Sequence, residues 1–134
     1  MPDHPIRVLI VDDEPLLRWA LAETLIGSGC EIVEAGTAKA AIDALSDGAR
    51  RFDVVVLDCH LPDAGDLTLL AATRRLSPES QAVVMTPFVT EDVASRALEL
   101  GAYRVLQKPV DLGAVTALVL NLARTNRTAA PVSA

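Results

Sequence analysis

Short apolar runs alternate along the chain with longer segments in which apolar residues recur at helical spacing. Five runs rich in Val, Ile and Leu are predicted to form β-strands. They cover residues 6–11, 30–35, 52–57, 81–85 and 103–106. The first, third and fourth runs are almost continuously apolar, which is typical of strands buried on both faces of a parallel sheet.

The segments between the runs have the pattern of helices that pack along one side. Leu17, Leu21 and Leu25 recur every fourth residue in the first segment, and a similar stripe follows the fifth run. The second stripe consists of Leu112, Val115, Leu118, Val119 and Leu122. Helices are expected to begin after the N-caps Thr37, Thr90 and Asp111 and to end near Gly27, Gly48 and Gly101.

Five strands alternating with five helices predict an α/β fold, with right-handed crossovers and helices on both faces of a doubly wound parallel sheet. In such sheets, binding sites form beyond the carboxyl ends of the strands, where the strand order reverses. Past Ala123 the sequence becomes polar, rich in small residues and proline-containing. We therefore expect one domain over residues 1–125 and a flexible tail, or the beginning of a linker, over residues 126–134.

The composition is that of a folded domain with an aliphatic core. The chain has 134 residues, of which 51% are hydrophobic and only 3% aromatic, and this length can bury a core without disulfides or a structural metal. The formal net charge of −6 argues against direct binding to nucleic acid, which would need a basic surface.

The sequence also indicates the cellular compartment in which the protein is expected. Cys30 and Cys59 lack the spacing of a metal site or of a CxxC motif, and a chain without a disulfide framework suits a reducing compartment. The sequence shows neither a signal-peptide pattern nor an apolar run long enough for a membrane span. We therefore expect a cytoplasmic protein that does not enter a membrane.

Acidic residues follow two of the predicted strands at the point where each strand ends. Asp12 and Asp13 follow the first run, and Asp58 follows the third. If these strands are neighbours, the carboxylates converge at one edge of the sheet and repel one another unless a cation lies between them. Oxygen ligands alone suit a hard ion such as Mg²⁺. Asp13 or Glu14 could instead cap the helix that follows, but capping does not account for Asp58.

Two other strand ends carry groups that complement the acids. Thr86 closes the fourth run, and Lys108 follows the fifth. A lysine beside several carboxylates offers a point charge for an anion, and the hydroxyl of Thr86 offers a hydrogen-bond donor. Such a lysine alone is more often a surface charge, but Lys108 is one of only two lysines in the chain, the other being Lys39.

Four motifs, in this order and at this spacing, resemble the receiver domain of bacterial two-component response regulators. They are VLIVDDE, VVVLDCHLPD, VVMT and VLQKPV, and the resemblance covers roughly residues 5–125. It implies a flavodoxin-like receiver fold, with five helices around a five-stranded parallel sheet in the order 2-1-3-4-5. It also implies a phosphorylation switch, so we do not expect a turnover enzyme.

The resemblance assigns the phosphoryl chemistry to three residues. Asp58 would take a phosphoryl group from a phosphohistidine on a sensor histidine kinase or a histidine phosphotransferase. Lys108 would pair with the phosphoryl oxygens, and Thr86 would swing its hydroxyl onto them. These roles fit the physics of phosphoryl transfer, which requires positioning and neutralisation of charge.

The resemblance also assigns a metal site. Asp13 and Asp58 would bind Mg²⁺ directly, together with the backbone carbonyl of His60, and Mn²⁺ could take the same place. Asp12 would act largely through water. The crowded acids would thus keep a cation site ready beside the phosphoacceptor.

The sequence departs from the receiver pattern around the switch residues. Pro87 follows Thr86, where these domains usually carry a small residue whose N–H donates to the phosphoryl group. Because proline has no N–H, one charge-assisted hydrogen bond, typically ~1.5–3 kcal/mol, should be missing from the phosphorylated state. Val105 stands at the position of the switch aromatic. Tyr103 is expected on the same face of the strand and could partly replace it, although it lies further from the site.

Two side chains have open roles. His60, two residues after Asp58, could orient water towards an acyl phosphate, or it could be an exposed and inert histidine. Trp19 lies away from the leucine stripe of the first helix. It could lie flat against a neighbouring helix or serve as a docking anchor for a kinase, since tryptophan is enriched at binding hot spots.

Three functions compete on this sequence. The first is the phosphoacceptor, with homodimerisation through the last helices, where Val110 and Leu120 could form an apolar surface. The second is a receiver-like module that binds proteins without phosphorylation, which Pro87 and Val105 support. The third is an aspartate-nucleophile phosphatase, but its two catalytic acids should stand two residues apart after the first strand, and those of this chain are adjacent.

Overall fold

A computed structural model of the chain describes residues 4–48, 51–65 and 67–128. Within these residues, five parallel strands form one sheet in the order β2-β1-β3-β4-β5, and a helix follows each strand. The strands are β1 (Arg7–Val11), β2 (Glu31–Ala35), β3 (Val54–Asp58), β4 (Gln81–Thr86) and β5 (Arg104–Gln107). The helices are α1 (Pro15–Gly27), α2 (Ala38–Ser46), α3 (Thr68–Leu76), α4 (Glu91–Glu99) and α5 (Leu112–Thr128). The predicted fold class and strand order are confirmed.

The sheet separates two hydrophobic clusters because successive side chains of a strand point to opposite faces. Val8 and Ile10 of β1 belong to a cluster with residues of α1 and α5. Leu9 and Val11 belong to the other cluster, with residues of α2, α3 and α4. Every residue of β3 is buried, which explains the continuous apolar run in its sequence.

The helix termini follow the predicted capping residues. Thr37 and Thr90 each accept the backbone N–H of the third residue after them, at 3.1 Å, and the Asp111 carboxylate accepts the N–H of Gly113 at 2.9 Å. Gly101 follows the end of α4 with a φ of +98°, a conformation that strongly favours glycine. All three predicted N-caps are confirmed.

Helix α5 continues to Thr128, three residues past the predicted end of the domain at residue 125. Near its end, Arg127 donates two hydrogen bonds to the carboxylate of Asp53, at 2.8 and 3.0 Å. The helix thus includes residues 126–128 of the predicted tail or linker, and the rest of that segment lies outside the described residues. Neither α5 nor another of the described helices is long and apolar enough to cross a membrane.

Candidate functional site

The carboxyl ends of the central strands bring the predicted site residues to one edge of the sheet. In the strand register, Val11 lies beside Leu57, and Thr86 lies beside Gln107. The residues at or just after these strand ends therefore lie in the same region. The side chains of Asp12, Asp58 and Lys108 meet there, and the backbone carbonyl of Thr86 accepts the N–H of Lys108.

The ammonium group of Lys108 is shared by three carboxylates. Its Nζ lies 2.9 Å from Oδ2 of Asp12, 3.0 Å from Oε1 of Glu14 and 3.1 Å from Oδ2 of Asp58. Burial alone would lower the pKa of Lys108, but the neighbouring carboxylates outweigh this effect and raise the pKa above its ordinary value. The lysine is therefore a fixed positive charge at this edge of the sheet.

Asp12 is completely buried among these groups. Its Oδ1 accepts the backbone N–H of Glu14 at 2.8 Å. Its Oδ2 is close to Lys108, but the contact is not aligned as a hydrogen bond, and this oxygen accepts none within the described part of the chain. Burial raises the pKa of Asp12, and the contacts with Glu14 and Lys108 offset part of that rise.

Asp58, the last residue of β3, is only 3% exposed. Its Oδ1 accepts the backbone N–H of His60 at 3.0 Å, and its Oδ2 is the oxygen that faces Lys108. The side chain of His60 itself is exposed. An open pocket of about 540 Å³ lies over this edge, and its lining includes Asp13, His60 and Pro87.

Most of the chain matches a known family. A sequence model of the response regulator receiver domain matches residues 8–120. The chain belongs to this family. The receiver domain is 35% identical over 118 residues to the response regulator protein PilR of Pseudomonas aeruginosa, an alignment that covers 88% of this chain and 26% of PilR. It spans 26%, 33% and 52% of the length of three curated relatives that it matches.

Solved structures show the same fold. A receiver domain protein of Methanospirillum hungatei superimposes on this receiver domain with a TM-score of 0.88 and 22% identity, covering 94% of this chain and 99% of that one. A response regulator of Burkholderia pseudomallei gives a TM-score of 0.77 and 25% identity, covering 96% and 76% of the two chains. Its structure contains a phosphorylated aspartic acid, a calcium ion and citrate.

The acids of the receiver domain have the chemistry of a magnesium site. Asp12, Asp13 and Asp58 each offer a carboxylate oxygen, and these oxygens lie within 4.8 Å of one another. A donor set of oxygens suits a hard divalent cation. Lys108 contributes one positive charge to a group of four acids, so negative charge remains for a cation to neutralise. Oδ2 of Asp12 forms an ion pair with Lys108 and accepts no hydrogen bond within the described residues.

Thr86 is buried at the end of β4, with 1% exposure. Its hydroxyl lies 3.4 Å from both the N–H and the carbonyl of Phe88, so its two contacts within the described residues are long ones. Its backbone carbonyl accepts the N–H of Lys108 at 2.8 Å. Thr86 thus lies beside Lys108, and its hydroxyl group is only weakly held by its contacts within the described residues.

The structure places Val105, at the position of the switch aromatic in the resemblance, and Tyr103, its possible substitute, in different surroundings. Val105 lies within β5 and packs against the cluster under α4. Tyr103 precedes β5, and its N–H donates to the carbonyl of Ala82, four residues before Thr86. At ~3.3 Å per strand residue, Tyr103 is therefore about 13 Å along the sheet from Thr86. The structure does not bring Tyr103 to the site, and this placement does not support it as a replacement for the aromatic.

The contacts of two residues at this edge are not predicted by the sequence pattern. The sequence suggests Glu14 only as a helix cap, but its side chain makes no capping hydrogen bond and instead pairs with Lys108. The sequence suggests no role for Arg18, yet it donates to the backbone carbonyl of Asp12. A charged residue one helical turn after the acidic cluster was the available signal, because such a side chain can reach back to the strand end.

Proposed function

We propose that this chain is a phosphoacceptor switch, in which Asp58 takes a phosphoryl group from a phosphohistidine of a sensor histidine kinase or a histidine phosphotransferase. The observation that carries the proposal is the ammonium of Lys108, 3.1 Å from Oδ2 of the buried Asp58. Phosphoryl transfer needs a positioned nucleophile and fixed positive charge, because negative charge is spread over the phosphoryl oxygens. The phosphorylated aspartic acid in the similar Burkholderia protein supports the same role.

In the proposed step, a carboxylate oxygen of Asp58 attacks the phosphorus atom of the phosphohistidine. An O–P bond forms while the N–P bond breaks, and the electron pair of the N–P bond leaves with the imidazole. Lys108 then pairs with the phosphoryl oxygens. The hydroxyl of Thr86 turns from the Phe88 backbone to donate to the same group.

The residues that would hold Mg²⁺, or Mn²⁺ in its place, are Asp13, Asp58 and the backbone carbonyl of His60, with Asp12 acting through water. When bound, the ion supplies positive charge to the oxygens of the transferring group. The close carboxylate oxygens support this assignment. The His60 N–H keeps one oxygen of Asp58 in place, and the exposed imidazole of His60 either orients water towards the acyl phosphate or is inert.

The coupling of the acyl phosphate to the rest of the domain is proposed to be atypical. Pro87 has no N–H to offer to the phosphoryl group, and Val105 occupies the position of the switch aromatic. A structure with beryllium fluoride bound to Asp58 tests this. We expect Thr86 to engage the fluoride while Val105 stays in its cluster, and a concerted movement of both residues would refute the proposal.

The phosphoacceptor role is tested by incubating the protein with acetyl phosphate and Mg²⁺ and measuring its intact mass. We expect an adduct of about 80 Da, as for an aspartyl phosphate. The adduct should be absent from Asp58→Asn and unchanged in Asp92→Asn, which alters an exposed aspartate of α4 that pairs with Arg96. An adduct that persists in Asp58→Asn would exclude Asp58 as the acceptor.

A second candidate function is a protein-interaction module that works without phosphorylation. Pro87 and Val105 favour it, because both remove groups through which receiver domains sense the phosphoryl group. A folded protein that binds its partner equally well as wild type and as Asp58→Asn, and that forms no adduct, would establish this second function instead.

The partner surfaces follow from exposed apolar residues. Leu16 and Trp19 of α1 are 82% and 58% exposed, and we propose them as the docking surface for the kinase. A homodimer through the last helices remains a proposal. Val110 and Leu120 do not support it, because both pack against the cluster under α1 and α5.

Because both cysteines are free, we also propose a cytoplasmic location.

A further inference from the structure

Arg18 of α1 reaches across the carboxyl ends of β1 and β2. Its Nη1 donates to the backbone carbonyl of Asp12 at 2.7 Å, and its Nε donates to Oε1 of Glu34 at 3.1 Å. We propose that Arg18 is a positioning residue, which fixes Asp12 and so prepares the site for its divalent cation. This role rests on the proposed magnesium-dependent function.

Three hydrogen bonds hold Asp12 in place, and Arg18 donates one of them. Its N–H donates to the carbonyl of Ala35 on β2 at 3.1 Å, its own carbonyl accepts from Arg18, and its Oδ1 accepts from the N–H of Glu14. With these groups engaged, the remaining oxygen, Oδ2, is directed towards Lys108. The hydrogen bond from Arg18 is charge-assisted and short, which makes it the strongest type of backbone contact in this set.

The structure holds Arg18 itself in place. Glu34 of β2 fixes the guanidinium from one side, and Gly36 leaves the space in which it lies. A Cβ atom at position 36 would stand 3.1 Å from Nη1 of Arg18. Gly36 is not among the glycines with positive φ, so its backbone does not require glycine. Room for Arg18 is therefore a reason for glycine at this position.

A positioning role and a merely structural one differ in what they predict. If Arg18 only fastens α1 to the sheet, its loss lowers stability, and the folded protein binds Mg²⁺ as before. If Arg18 positions Asp12, its loss weakens Mg²⁺ binding by the folded protein. Partners that orient the groups of a metal site typically contribute roughly 10–100-fold to metal affinity.

The experiment is calorimetric titration of Mg²⁺ alone, without a phosphodonor, into wild type, Arg18→Met, Arg18→Lys and Arg96→Met. Arg96 is the matched control, because it is an exposed arginine that pairs with a single carboxylate, Asp92 of α4. We expect about tenfold weaker binding for Arg18→Met, an intermediate loss for Arg18→Lys, which keeps a donor, and no change for Arg96→Met. Urea unfolding in EDTA measures stability separately.

Each result decides between the alternatives. If folded Arg18→Met binds Mg²⁺ with wild-type affinity, or if Arg96→Met loses as much affinity as Arg18→Met, the positioning role of Arg18 is overturned. The proposed magnesium site itself would still stand. A wild-type protein that does not bind Mg²⁺ refutes the proposed site and the role of Arg18 with it. If Arg18→Met does not fold, Arg18→Gln decides, because it removes the guanidinium and keeps a polar side chain at position 18. Weaker Mg²⁺ binding by folded Arg18→Gln supports the proposal, and unchanged binding overturns it.

Discussion

At the scale of single residues, Lys108 is engaged by carboxylates before any phosphoryl group arrives. Asp12 and Asp58 are buried, but the third partner, Glu14, has a side chain that is 61% exposed. An exposed ion pair is worth only ~0–1 kcal/mol. We therefore expect the ammonium to leave Glu14 first when it turns towards a phosphoryl group, since a lysine is a point charge on a flexible stem.

Replacing Lys108 tests its part in the chemistry. We expect Lys108→Met to slow the phosphorylation of Asp58 by acetyl phosphate by roughly 10²–10³-fold, the usual loss when a fixed charge-stabilising group is removed. The initial rate of adduct formation, followed by mass spectrometry, measures this. The control is Lys39→Met, which replaces the other lysine of the chain, an exposed residue paired with Asp43. Equal rates in both variants would contradict the assignment.

Replacing Pro87 tests the missing hydrogen bond. Pro87→Ala supplies a backbone N–H beside Thr86. A charge-assisted hydrogen bond is worth ~1.5–3 kcal/mol, so we expect beryllium fluoride to bind about tenfold more tightly or better. Titration by NMR measures the affinity. Affinity equal to that of wild type would show that this N–H is not used.

At the scale of the elements, the loop after β3 is tied to helix α2. The carboxylate of Asp63 accepts the backbone N–H groups of Ala38 and Lys39 at 2.8 and 3.0 Å, next to the N-cap Thr37. These two hydrogen bonds lower the pKa of Asp63. The loop that follows Asp58 thus contacts the N-terminus of a neighbouring helix, where a negative charge is favourable.

The contribution of Asp63 should depend on pH. Its folded pKa lies below the ordinary value of 3.8, so its stabilising effect is present above that value and is lost as the pH falls through the folded pKa. We expect Asp63→Asn to be less stable than wild type at neutral pH and the difference to shrink towards about pH 3. Urea unfolding over this range measures it. In Asp43→Asn, which removes only an exposed ion pair, the difference from wild type should stay small throughout.

The elements could be predicted from the sequence because each carries a local signal. The buried strands have continuous apolar runs, and Thr37 and Thr90 are good N-caps wherever they precede a helix. The site residues could be predicted because acids and a lysine stand at strand ends, and because the resemblance supplies the strand order that brings those ends together. Contacts between side chains distant in sequence have no such signal. The pairing of Glu14 with Lys108 and the place of Tyr103 depend on the register of strands, which the sequence pattern alone does not determine.

At the scale of the whole molecule, Arg127 joins the two ends of the described chain. It donates to the carboxylate of Asp53 before β3 and to the carbonyls of His4 and Pro5 at 3.0 and 2.9 Å. The carboxylate raises the pKa of Arg127, so the guanidinium stays charged. These contacts hold the last turn of α5 at the edge of the sheet opposite Asp58.

Removing Arg127 tests this connection. We expect Arg127→Met to lower the free energy of unfolding by about 1–2 kcal/mol, a modest loss for several hydrogen bonds because the side chain is partly exposed. Urea unfolding measures the loss, and amide hydrogen exchange should quicken in the last turn of α5. Arg75→Met, at an exposed position of α3, should change neither quantity. Unchanged exchange in Arg127→Met would show that the contacts do not hold the helix end.

The contact between Arg127 and the His4 carbonyl also places the beginning and the end of the described chain side by side. Neighbouring termini allow a chain to be rejoined in a different order, because a short connector can close them without strain. A circular permutant of residues 4–128, with these two positions joined by a short glycine connector and the chain reopened in the loop before β3, should therefore fold. Because Asp58, the proposed phosphoacceptor, lies at the far edge of the sheet, such a protein should still react with acetyl phosphate at the rate of the original.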